Sequence, residues 1–196
     1  MTDELGDVVW EASYKAWGEA REVIARASKA AGIVPSNLLR FRVNGMAMNF
    51  SFEYWRERLH ACEDFSSEEK CDEFLALVTE AESNMSYEVA VELLRTFSDV
   101  DDFGVQERTR NAVEAAGRHL FYPALVGELG GLILRSPEKQ WAVTLVGIEA
   151  EHGDFNLLLS YVSRASKAER DTFVSFIKSE EFLSEYPVAS KYLTGL

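Results

Sequence analysis

The chain has 196 residues, 47% hydrophobic and 27% charged, the composition of a water-soluble folded domain long enough to bury a core without staples. Its formal charge of −13 excludes nucleic acid as an expected ligand, because binding phosphates needs a basic face. No apolar run approaches the roughly 20 residues that span a bilayer, so no membrane partner is expected either.

The opening MTDELGDVVWEASYKAW has neither the basic start nor the apolar stretch of a secretory signal, which points to the cytoplasm. A first helix is predicted from Asp3 to Ala31, with Val8, Val9, Ala12, Ala16, Ala20, Val23, Ile24 and Ala27 at helical spacing. Gly32 and the turn VPSN then end it.

LRFRVNGMAMNFSF, residues 39–52, alternates apolar and polar residues on both sides of Asn44-Gly45, a β-hairpin signal. A two-residue turn would put Leu39, Phe41, Val43, Met46, Met48 and Phe50 on one face and Arg40, Arg42, Ala47 and Asn49 on the other. The competing reading is a helix that begins early and tolerates Gly45.

From Ser51 onward the pattern is helical and repetitive. SFEYWRERLHACEDF carries Phe52, Trp55, Leu59 and Cys62 on one stripe. SSEEKCDEFLALVTEAES opens with a capping box, Ser66 and Glu69, and turns Cys71, Phe74, Leu75 and Val78 inward. Ser86 caps the next helix, and Asp101 and Asp102 lead into another that closes at Gly117 with a left-handed cap. RHLFYPALVGELGGLILR contains Pro123 and three glycines, which predicts a tightly packed or kinked helix. Ser136, Pro137 and Glu138 read as the first positions of the next helix, and Ser166 with Glu169 as a second capping box. Pro187 splits the last segment in two.

Alternate predicted starts near 67, 104, 137 and 167 give a drifting interval typical of degenerate two-helix repeats. The fold expected is therefore one domain, mainly α: an N-terminal helix and β-hairpin cap over residues 1–50, and a short helical-hairpin solenoid over 51–196.

A search for chemistry is mostly negative. Cys62 and Cys71 lack the histidines and spacing of a zinc site and read as packed free thiols. His60, His119 and His152 lie in unrelated segments and form no metal-binding pair, and no nucleophile elbow, phosphate loop or dinucleotide fingerprint is present. SDVDDFGVQE misplaces its glycine for a calcium loop. No cofactor, metal site or catalytic residue is expected, and the protein is read as a binding protein, not an enzyme. Trp55 and Trp141 read as core, and Phe103, Phe155 and Phe182 as staples or exposed anchors beside acidic corners.

Acids are the stronger signal. Residues 1–50 hold six acids and six bases, whereas 51–196 hold 27 acids and 14 bases, so the helical body carries the whole excess. Asp99, Asp101, Asp102, Glu149, Glu151 and Asp154 fall where one helix gives way to the next, and stacked repeats would line them along an edge. Capping and the helix dipole account for Asp101, Asp102 and Asp154. They do not account for Glu149 and Glu151, which sit in a last turn where the dipole opposes negative charge. These six acids, with Arg40 and Arg42 of the hairpin, are the expected partner-binding residues.

AVELLRTFSDVDDFGVQERTRNAVEAA, residues 90–116, resembles the paired helices of HEAT-like repeats. The whole combination resembles helical immunity proteins of bacterial polymorphic and contact-dependent toxin systems. That resemblance implies a cognate toxin protein as partner, bound through a basic active-site face that the acidic edge would cover. The N-terminal helix and hairpin depart from the repeat pattern.

Overall fold

Apolar stripes at helical spacing become nine α-helices and one 3₁₀ helix among the described residues, with no strand between them. The computed structural model describes residues 50–196 apart from Phe103, Lys139 and Leu196. The expected first helix and residues 39–49 of the hairpin, with Arg40 and Arg42, lie outside the described residues; of the hairpin's last three residues, Phe50 and Ser51 are in no strand and Phe52 is helical.

Helix α1 (Phe52–Ala61) buries Trp55 and Leu59, and Cys62 follows them inward. The Trp55 indole N–H donates to the Leu77 carbonyl at 3.0 Å, which ties α1 to α2 (Glu68–Ser83). Phe50 and Phe52 set their rings 5.9 and 6.0 Å from the Trp55 ring. On α2, Cys71, Phe74, Leu77, Val78 and Ala81 form the inner face.

Its cap is Ser67, which accepts from the Lys70 amide, and not Ser66 as the spacing predicts. The carboxylate of Asp64 accepts from both the amide and the hydroxyl of Ser66, at 3.2 and 3.0 Å. That leaves Ser67 as the last extended residue before the helix, one position later than the predicted box.

Ser86 caps α3 (Tyr87–Arg95) through the Val89 amide, as expected. Helix α4 (Val105–Ala115) follows Gly104, whose φ of +87° is a left-handed conformation that suits glycine. Gly117, at φ +89°, makes the tight link from α4 into α5 (Arg118–Arg135). Helix α5 runs through Pro123 without ending. Phe121, Tyr122, Ala124, Leu125, Val126, Leu129 and Leu132 are all buried, and that packing outweighs the amide lost at the proline.

Helix α6 (Trp141–Glu151) begins four residues after Pro137, not at it. Ser136 is not free to cap: its hydroxyl donates to the Leu132 carbonyl at 2.9 Å and so finishes α5. Pro137 and Glu138 form a turn, and Gln140 enters α6 at φ +52°. Asp154 caps α7 (Phe155–Arg164), and the Ser166–Glu169 box caps α8 (Lys167–Ile177) as expected. Ser179 caps α9 (Glu180–Glu185), and Pro187 opens the 3₁₀ helix Pro187–Gly195, so the last segment does divide there.

Packing alternates at first, with α2 against α4 and α3 against α5. It then changes, because α5 also receives α7 and α8, and α6 lies against α5, α7, α9 and the 3₁₀ helix. Helix α5 is the hub, which follows from its length and from apolar residues around most of its circumference. Trp55, Trp141, Phe155 and Phe182 all belong to the buried core.

Candidate functional site

Two acidic corners form, one beside each end of α6. At 11 residues α6 is roughly 16 Å long, which sets the scale of their separation.

The first corner is the loop before α4. The carboxylate of Asp99 accepts from the backbone amide of Glu138, at 3.1 and 3.2 Å, just ahead of α6. Asp101 is exposed. Asp102 is only 6% exposed and accepts from the Gln106 amide at 2.5 Å in the first turn of α4. Gln106 is itself fully buried and holds the loop from both sides: it accepts from the Ser98 amide at 2.8 Å and donates to the Val100 carbonyl at 3.3 Å. The Gln140 side chain donates to Glu181 at 2.8 Å, so α9 brings a further acid to the same end.

The second corner closes α6. Glu149, 9% exposed, accepts the hydroxyl hydrogen of Tyr122, and that phenol oxygen accepts in turn from the Asp154 amide at 3.3 Å. Two glycines make room for this arrangement. A Cβ on Gly147 would run into the Tyr186 ring, and one on Gly153 into the Glu149 carboxylate. Glu151 and Asp154 are exposed, with Glu151 3.5 Å from His152.

The electrostatics of this corner are unusual for the molecule. Burial, reinforced by Glu149, pushes the Tyr122 phenol well above its ordinary value. Burial also raises Glu114, opposed by Arg110 and assisted by Glu149. Tyr186 is raised by burial and then by Glu151 and Glu185.

Chemically, a phenol that is fully buried and held protonated is neither a nucleophile nor a base at neutral pH. Tyr122 therefore acts as a donor that satisfies a buried carboxylate. Among the described residues no group of histidines, cysteines and carboxylates is arranged to hold a metal ion, and no helix is long and apolar enough to cross a membrane. No protein-family model, curated protein or solved structure matches this chain.

Of the six acids singled out by position, Asp101, Glu151 and Asp154 face outward, Asp99 is half-buried, and Asp102 and Glu149 are turned inward. Phe155 and Phe182 are buried and offer no exposed anchor, and Phe103 lies outside the described residues. Gln106, Tyr122 and Glu114 were not among the predicted residues. Asp102 and Gln106 stand at the i, i+4 spacing of a local pair, which is a faint signal. For Tyr122 and Glu149, 27 residues apart, the sequence holds none.

Proposed function

We propose that this protein is an immunity protein that binds and neutralises a cognate bacterial toxin domain by covering its basic active-site face. The body would be a short HEAT-like solenoid, a reading supported by the pairings of α2 with α4 and α3 with α5. The observation that carries the proposal is the outward acid left at both ends of α6, Asp101 at one and Glu151 and Asp154 at the other. Glu151 ends α6, Asp154 caps α7 and Asp101 lies in a loop held by Gln106, so the fold places them before an encounter.

An acidic strip of this kind matches a face built to hold phosphates, and it would accelerate association through long-range attraction. That charge complementarity fits a toxin that acts on a nucleic acid. The protein would then act in the cytoplasm of the producing cell.

Affinity capture from toxin-producing cells, with mass spectrometry of what is retained, tests the proposal. A stoichiometric basic toxin domain is the expected result. Against that toxin, Asp101→Lys combined with Glu151→Lys should slow association by roughly tenfold at low salt and flatten its salt dependence. Glu149 is unsuitable for reversal because it is buried. Retention of ordinary cellular proteins would point instead to a helical adapter, and unchanged association kinetics would remove the acidic strip from the mechanism.

A further inference from the structure

A second cluster of ionisable groups lies apart from α6, where α1 meets α3. His60, in the last turn of α1, has both ring nitrogens against carboxylates: Nδ1 against Glu63 just past the helix, and Nε2 3.0 Å from Glu92 of α3. The Glu92 side chain is 7% exposed, and its other oxygen accepts from Arg95 at 2.8 Å. Arg95 passes the chain of contacts to Glu128 of α5 at 2.9 Å, and Arg135 stands 3.7 Å from that same carboxylate. On α2, the acids Glu73 and Glu80 face Arg58 of α1, at 3.1 and 3.9 Å.

A neutral imidazole has one N–H and one lone pair, and an ionised carboxylate only accepts. Both contacts are therefore hydrogen bonds only when the ring carries two protons. We infer that His60 is a proton-operated latch that fastens α1 to α3 as an imidazolium and loosens when it becomes neutral. In the neutral state one carboxylate faces a lone pair. Glu63, 33% exposed, can turn to water, whereas buried Glu92 cannot and keeps Arg95 as its remaining cation. The latch matters for α1 because, among the described residues, its main packing is against α2, where Trp55 donates to the Leu77 carbonyl, whereas His60 reaches α3 through this polar contact. Among the described residues no other histidine has a carboxylate against each ring nitrogen; His152 stands 3.5 Å from Glu151, its sequence neighbour.

Amide hydrogen exchange at pH 5.5 and 8.5, on either side of the range in which imidazoles titrate, tests the latch. With protection referred to α8 in the same molecule, α1 of the full chain should lose roughly two- to fivefold protection at the higher pH, the scale of a partly exposed ion pair. His60→Gln should show the lower protection at both values. A wild-type α1 with unchanged protection, or a His60→Gln variant with the same pH dependence as wild type, overturns the inference. Nitrogen NMR of the His60 ring in the unmodified protein gives a second measurement. The latch requires that loss of one ring proton coincide with the fall in α1 protection, and a ring that titrates while α1 stays equally protected overturns it.

Discussion

Asp102 and Glu149 both turn a carboxylate into the protein, beside opposite ends of α6, but the partners differ. Asp102 accepts from a backbone amide in the first turn of α4, where the helix dipole favours negative charge. Glu149 lies in the last turn of α6, where the dipole opposes it, and its donor is a neutral phenol from another helix. The first is a local cap that any helix start could make. The second exists only because α5 and α6 pack with Tyr122 opposite Glu149. A carboxylate placed against its own helix dipole is thus explained here by a tertiary contact, whereas its neighbour Glu151 is exposed.

Removing the phenol hydroxyl should separate the two corners most sharply. Tyr122→Phe leaves a buried carboxylate without its donor and should lower the unfolding free energy by about 2–3 kcal/mol, read by urea denaturation. Adding Glu149→Leu to Tyr122→Phe should recover most of that loss, since an apolar pair needs no hydrogen bond. A loss below about 0.5 kcal/mol in the single variant would mean that the contact is not a staple. Asp102→Ala comes next, at about 1–2 kcal/mol, with Asp102→Asn keeping most of the stability because an amide oxygen still accepts from Gln106.

A smaller effect is the pH dependence of the second corner. Burial holds the Glu114 carboxyl above its ordinary value, so over the interval between the unfolded and folded values the native chain keeps a proton that the unfolded chain has released. Its contribution to stability therefore declines as pH rises through the folded value, and Glu114→Gln should flatten that decline. Asp64 has the opposite sign. Its bond to Lys70 lowers it, so its contribution is present above the ordinary carboxylate range and is lost as pH falls. Glu114→Gln curves that superimpose on wild type would show that Glu114 does not produce that decline with rising pH.

Smallest of all should be Asp101→Lys and Glu151→Lys, each within about 0.5 kcal/mol of wild type in thermal or urea unfolding, because both side chains are exposed. A large loss in either would place that acid among the stabilising groups and take it out of the proposed strip.

Much of the helical body is legible from sequence because its signals are local. The stripe of Trp55, Leu59 and Cys62, the Ser86 and Ser166 caps and the break at Pro187 each depend on residues within a few positions of one another. Errors arose where two local signals competed for the same group. Ser66 was already held by Asp64, so the cap moved to Ser67, and Ser136 was held by Leu132, so α6 began late.

By itself, then, the sequence determined the helices of the described body, the Ser86 and Ser166 caps and the acidic excess, since periodicity, capping chemistry and charge are properties of neighbouring residues or of plain counts. Only the tertiary structure decided which acids face water. Turning Glu149 inward requires a hydroxyl 27 residues earlier, and closing the His60 contact requires a carboxylate 32 residues later. A chain read in order cannot show which distant side chains meet, because that depends on how whole helices pack, and the identity of a single pair barely alters the pattern of apolar and polar residues.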